Sequence, residues 1–294
     1  MSLRTEDNIT LKGFDSSLLN EEELASAHRQ SLERGVHGFC FSPYLRNQKP
    51  GSPITAEQIQ KRIEIIAPYT KWIRTFSCTQ GNELIPEIAQ KNGLNTLVGA
   101  WLGTDKDKNE IEISKVIEIA QAGHANIVAV GNEVMYREDL EESQLTDYIA
   151  RVKAALPDTP IGYVDAYYEF EKRPAITDLC DVILANCYPY WERCDIDYSL
   201  LYMKEMYRSA VKAAGGKKVI ITESGWPSDG TPLDKAIPSD TNAMTYFINA
   251  QEWASEENID LFYFSAFDEK WKDADEGDVG PHWGIWDTHG NLKY

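Results

Sequence analysis

KVIITESGWPS, residues Lys218 to Ser228, opens as a run of apolar and β-branched residues and breaks off at a glutamate followed by glycine, tryptophan and proline. A short, unalternating apolar run of this kind reads as a strand buried on both faces, as in a parallel sheet covered by helices. The pattern recurs along the chain at Val36–Phe41, Trp72–Phe76, Asn95–Trp101, Ile127–Gly131, Thr159–Val164, Val182–Asn186 and Leu261–Phe267, which makes eight strands with Lys218–Thr222. Helical segments lie between them. Thr55–Ile66 opens with a capping-box pattern, Thr55 followed by Gln58. Further helices are expected over Asn109–Ala122, Leu140–Leu156, Tyr198–Ala214 and Asn242–Glu256, with Leu140–Leu156 stopped by Pro157 and Tyr198–Ala214 by Gly215 and Gly216.

Eight strands joined by helical crossovers predict an α/β chain folded as a single (β/α)8 TIM barrel. An open doubly wound sheet would want a glycine-rich loop after its first strand, and FSPYLRNQKPGSP carries no G-x-G-x-x-G. Residues 1–294 are therefore expected to form one catalytic barrel domain, with 1–34 as an N-terminal extension or helix ahead of the first strand.

Composition narrows the function. Forty-seven acidic residues stand against 29 basic ones, a formal charge of −18. That balance argues against nucleic acid, whose phosphates require a basic surface, and leaves room for a neutral ligand. The five cysteines, Cys40, Cys78, Cys180, Cys187 and Cys194, are odd in number and scattered, so free thiols are expected rather than a disulfide framework or a zinc site. No apolar stretch is long enough to span a membrane. The polar start MSLRTEDNIT reads as cytoplasmic as it stands, or as secreted or periplasmic if a leader has been removed. A monomer is expected.

In a barrel, chemistry collects where strands end at the C-terminal face. The fourth strand ends in Asn132 and Glu133, the seventh in Glu223 and the eighth in Asp268 and Glu269, while the second carries Arg74 and the sixth is followed by Tyr188. A glutamate at the mouth of a packed strand loses solvation, which raises its pKa, while a neighbouring charge can do the reverse. Two glutamates in different surroundings can then divide the roles of acid and nucleophile, the pairing that glycosidic cleavage needs. A single glutamate after a strand is more often a helix cap or an ion-pair partner, and two in such company are harder to dismiss. Asp105, Asp107, Asp165, Glu169 and Glu171 are weaker candidates, the first two as loop charges and the last two as a solvated face.

These residues carry a family resemblance. GFCFSPY, WIRTFS, VAVGNEV, ANCYPYW, FDEKWK and above all VIITESGWPS resemble segments of glycoside hydrolase family 17 of clan A, the β-1,3-glucanase family, especially its bacterial and fungal glucanases and glucanosyltransferases. The resemblance implies a retaining enzyme acting on β-1,3-linked glucans, with Glu223 as nucleophile and Glu133 as general acid/base. It further implies that Asn132 bonds the sugar hydroxyl beside the reacting carbon, that Arg74 orients the nucleophile, that Tyr188 lines the −1 subsite, and that Glu269 and Lys270 stand near the catalytic pair. Phe41 and Phe76 occupy positions where many relatives carry tyrosine.

Trp226, Trp271 and Trp283 are expected to line the substrate cleft, since flat indoles suit the apolar faces of sugar rings. Trp101 could be cleft floor or structure, and Trp72 and Trp286 read as core. His282 is the histidine best placed to touch substrate. Gly225 is read as letting the chain turn away from the sugar. No metal or cofactor is needed for this chemistry. A glucanosyltransferase would use the same residues and differ only in whether water or a sugar hydroxyl completes the reaction. A carbohydrate-binding barrel without turnover would be expected to lack one of the two glutamates. An aldolase or isomerase would want a Schiff-base lysine or a metal cluster, and Lys218 starts its strand at the wrong end.

Overall fold

The computed structural model describes residues 13–294. The polar start and the first third of the expected extension lie outside the described residues. Eight parallel strands close into a barrel in chain order: β1 Val36–Cys40, β2 Thr70–Arg74, β3 Asn95–Ala100, β4 Ile127–Asn132, β5 Ile161–Ala166, β6 Val182–Asn186, β7 Lys218–Ser224 and β8 Leu261–Tyr263. The sheet closes through Gly38 and Phe39 of β1 beside Phe262 and Tyr263 of β8. This is the expected (β/α)8 barrel. Ile73, Leu97, Val128, Ile183, Ile221 and Phe262, drawn from six strands, are all fully buried, as a parallel barrel wrapped by helices requires.

The larger helices are α1 Glu21–Glu33, α2 Ala56–Ile66, α3 Ile85–Lys91, α4 Lys106–Gln121, α5 Glu142–Ala155, α6 Glu169–Lys172, α7 Pro174–Leu179, α8 Ser199–Ala213 and α9 Asp240–Glu256. Of the 1–34 extension, α1 is described. It packs along α9 through Leu24, Met244 and Ile248. Two helices begin earlier than their apolar periodicity suggests, because their caps lie upstream. Asp105 Oδ1 accepts from the amides of Asp107 and Lys108, and Ser239 Oγ accepts from Asn242. Asp105 is thus an N-cap and not a loose loop charge. Only half of the expected capping box forms at α2: Thr55 Oγ1 accepts from Gln58 N at 3.2 Å, whereas the Gln58 carboxamide turns to the Pro43 carbonyl at 2.7 Å.

The strand register slips between Ala129 and Asn132 on β4, and β7 slips against both its neighbours, at Thr222 beside Ala185 and Asn186 of β6 and between Ile221 and Ser224 beside β8. Such bulges re-aim the side chains that follow them. β8 stops at Tyr263, four residues short of the expected Phe267, and the continuing chain still bonds its neighbours, Phe264 N to Ser224 O and Ala266 N to Cys40 O. All five cysteines are buried, and Cys40, Cys78, Cys180 and Cys187 are free thiols. No helix among the described residues is long and apolar enough to cross a membrane.

Candidate active site

Glu223 sits on β7 with its neighbours fully buried, and is itself only 6% exposed. Its Oε1 accepts from Arg74 Nη1 at 2.6 Å, and its Oε2 accepts from the Tyr188 hydroxyl at 2.8 Å. Arg74 ends β2 and is 1% exposed. A guanidinium so deep is tolerable only against a carboxylate. Nη2 donates to Asn132 Oδ1 at 2.5 Å, and the ring of Phe76 lies 4.4 Å under the guanidinium carbon. Because Arg74 can only donate, the Asn132 amide must turn its oxygen to Arg74, which leaves its NH2 for the cleft. The Tyr188 hydroxyl is pushed well above the ordinary phenol range, first by burial and then by Glu223, so it remains a donor.

Glu133 has a different environment. The residue follows the β4 bulge with φ +51°, just after Gly131 at φ +88°. Left-handed backbone is uncommon for a side chain that is not glycine and persists only where the surroundings enforce it. A Cβ on Gly131 would come within 2.9 Å of Val134 Cγ2. The turn is pinned by Glu133 N to Val164 O at 2.7 Å and by Arg137 N to Glu133 O at 2.8 Å. The Arg137 side chain adds bonds to the Asn132 and Leu102 carbonyls. Glu133 Oε1 accepts from Asn186 Nδ2 at 2.8 Å, and Asn186 Oδ1 accepts from Thr222 Oγ1 at 2.9 Å. No cation pairs with Glu133 among the described residues. Burial and then the charge of Glu223 push its pKa up to about 7.

Both glutamates line one open cleft of about 1360 Å³, above the ~300–1,000 Å³ of a site for a single small molecule. Its walls include Phe41, Phe76, Tyr167, Tyr168, Trp191 and Trp271. The structure brings Glu133, Glu223, Asn132, Arg74 and Tyr188 into one network. Trp271 and Trp283 also line the cleft, although Trp283 is only 2% exposed and backs Tyr188 edge-on at 5.6 Å. Trp101 proves to be cleft wall, 41% exposed, with Arg137 stacked on it at 4.5 Å.

Other expected positions differ. Trp226 is 1% exposed, donates Nε1 to the Ile237 carbonyl at 2.9 Å and packs edge-on against Tyr190. It supports the site from behind and forms no wall, because the chain turns inward after Ser224. Gly225 is required there by the backbone: a Cβ would lie 2.0 Å from the Phe264 carbonyl. Glu269 is buried and accepts from Trp271 Nε1 at 3.0 Å, so it holds a cleft tryptophan without lining the cleft. Lys270 is exposed on the adjoining turn. Lys272, two residues on, does line the cleft and pairs with Glu276 at 2.8 Å. His282 is not among the described lining residues. Glu169, read as a solvated face, is buried between Lys172 and Arg173.

Sequence reasoning missed Glu112. It reaches from α4 into the cleft lining, where it accepts from Ser77 Oγ, Cys78 N, Thr79 Oγ1 and Trp101 N. On a charged helix nothing distinguished it from its exposed neighbours. Tyr167 and Tyr168 could have been found, because they directly follow β5 at the face where the site lies.

Fold and site together define a glycoside hydrolase barrel. Residues 38–284 match the BtgE/BtgC glycoside hydrolase domain family, and the chain belongs to that family. The likeness to glycoside hydrolase family 17 holds: the family 17 β-1,3-glucanosyltransferase of Rhizomucor miehei superposes with a TM-score of 0.79 at 28% identity, covering 89% of this chain and 96% of that one. An active-site mutant of that enzyme in complex with laminaritriose gives 0.80. In sequence, the glucan 1,3-beta-glucosidase of Schizosaccharomyces pombe is 27% identical over 92% of this chain and 89% of its own length. The endo-laminarinase of Formosa shares the fold, with a TM-score of 0.77 at 20% identity.

Proposed function

We propose that the protein is a retaining glycoside hydrolase of β-1,3-linked glucans, acting as a monomer through one catalytic domain, with Glu223 as nucleophile and Glu133 as general acid/base. The observation that carries this is the contrast between the two carboxylates in one cleft. Glu223 is held by two donors, one of them a guanidinium that pairs with a carboxylate. Glu133 pairs with no cation among the described residues and has a pKa raised to about 7. It therefore carries its proton up to near-neutral pH, as a general acid must.

In the first step Glu223 attacks the anomeric carbon, the glycosidic bond breaks, and the Glu133 proton moves to the departing oxygen. The Glu223 ester takes up the anomeric carbon, and its second oxygen keeps a hydrogen-bond donor. In the second step Glu133, now a carboxylate, takes a proton from water, whose oxygen displaces Glu223. The Asn132 NH2, turned to the cleft by Arg74, is placed to bond a sugar hydroxyl.

The likeness to a β-1,3-glucanosyltransferase supports a second reading with the same residues, in which an acceptor sugar replaces water. A product time course on laminari-oligosaccharides decides: shorter products alone support hydrolysis, and products longer than the starting sugar support transfer. NMR of the first-formed reducing end is expected to show the β-anomer, and the α-anomer would overturn the double displacement.

A further inference from the structure

We propose that Tyr163 and Asp165 of β5 are positioning residues for the acid step, holding the strained turn at Glu133 and placing a carboxylate behind it. The inference rests on the assignment of Glu133 as general acid/base.

Both side chains lie inside the barrel wall, 1% and 0% exposed. The Tyr163 hydroxyl accepts from Met135 N at 2.9 Å and donates to Asp165 Oδ2. The same Asp165 oxygen takes Tyr136 N at 3.4 Å, and Oδ1 takes Ala166 N at 2.7 Å. The two amides held in this way, those of Met135 and Tyr136, belong to the turn that leaves Glu133. A third bond, Glu133 N to Val164 O, comes from the residue between the pair. β5 thus grips the left-handed turn at three successive points.

Holding the Tyr136 amide and the Tyr163 hydroxyl needs one acceptor oxygen, which a neutral asparagine would supply at the loss of the Ala166 bond. A carboxylate is the costly choice in a buried place, and no lysine or arginine pairs with Asp165 among the described residues. Burial pushes its own pKa up to about 6, against the hydrogen bonds of Tyr163 and Ala166. The charged or polar groups facing Glu133 are Glu223 from β7, Asn186 from β6, Asp165 from β5 and Arg74 from β2. The two carboxylates raise its pKa, and Asn186 and Arg74 lower it. Asp165 in turn faces Tyr163 and Glu169, and Glu169 raises it. The Asp165 charge therefore favours the proton on Glu133.

The test compares Tyr163→Phe and Asp165→Asn with the parent on two substrates: a laminari-oligosaccharide, whose leaving oxygen needs protonation, and a dinitrophenyl β-laminaribioside, whose phenolate leaves without it. For both variants kcat/KM is expected to fall about tenfold or more on the oligosaccharide and by less than about threefold on the aryl glycoside. Asp165→Asn should also move the basic limb of the kcat/KM profile to lower pH, by about half a unit or more, because Glu133 gives up its proton more easily once the neighbouring charge is gone. Equal losses on the two substrates, or a basic limb that stays in place in Asp165→Asn, would overturn the proposal. If one variant fails to fold, the other carries the leaving-group comparison. Glu133→Gln is run beside them: if it keeps full activity on the oligosaccharide, the assignment of the acid is wrong, and if it is inactive while both variants behave like the parent, the β5 pair alone is wrong.

Discussion

Glu133 and Glu223 end two strands of one barrel, and their surroundings differ in nearly every respect. Both follow a register shift in their strand, but Glu223 stays within β7 while Glu133 takes left-handed backbone with φ +51°. Glu223 meets a guanidinium at 2.6 Å and a phenol at 2.8 Å. Among the described residues the side-chain donor bonded to Glu133 is an amide, at 2.8 Å, and two carboxylates raise its pKa. A carboxylate fixed by two donors suits a group that must attack from one place. A bulged turn with no cation suits a group that must take and give a proton. The same residue type thus acquires two chemistries from backbone geometry and neighbours.

The sharpest way to break this contrast is to neutralise each side in turn. Glu223→Gln is expected to lower kcat on the order of 10⁴-fold on any substrate, because no attack replaces it. Glu133→Gln should lower kcat/KM about 10²- to 10⁴-fold on an oligosaccharide. It should also abolish the basic limb, which in the parent falls as pH rises through about 7, where Glu133 loses its proton. A profile that keeps this limb in Glu133→Gln would assign it to another group.

Arg74→Met tests the Glu223 side through its partner. The Arg74 and Glu223 side chains are 1% and 8% exposed, so removing the arginine leaves a buried carboxylate uncompensated, at a cost of about 3–5 kcal/mol. A chemical melt should show that loss, and kcat should drop about 10²-fold or more as Glu223 and the Asn132 amide lose a shared anchor. Stability near that of the parent would mean that Glu223 is satisfied without Arg74. Tyr188→Phe is milder. It removes one donor from Oε2 and leaves the ion pair, so a loss of about tenfold in kcat with little change in KM is expected.

The eight-strand pattern was legible from its recurring apolar runs, and both glutamates because each follows such a run and the barrel rule says where strand ends meet. Arg74 was legible because a strand-borne arginine needs a carboxylate. What could not be read is how the chain turns once a strand has ended. Lys270 and Lys272 are two residues apart on a 3₁₀ turn, and that turn alone decides which one faces the cleft. Gly131 looked like an ordinary strand residue, and its positive φ, which lets the next residues swing Glu133 inward, appears only with the bulge. Glu112 and Asp165 are acids whose burial depends on contacts far along the chain.

The exit of β7 supplies the smallest expected effect on turnover and the clearest separation of support from contact. Trp226 follows Glu223 by three residues, which made it look like a sugar platform. In the structure its ring packs on Tyr190 and Tyr246 at 5.2 and 5.5 Å, and its N–H is spent on a backbone carbonyl. Trp226→Phe would remove that bond and part of a buried ring, so a stability loss of about 1–3 kcal/mol is expected. At a temperature where the variant is folded, kcat/KM should stay within about twofold of the parent, because the group that touches the sugar is unchanged. Trp271→Ala, on the open wall of the cleft, should do the reverse, raising KM for longer oligosaccharides with a smaller change in the melt. A rise in KM for Trp226→Phe that grows with substrate length would return Trp226 to the cleft.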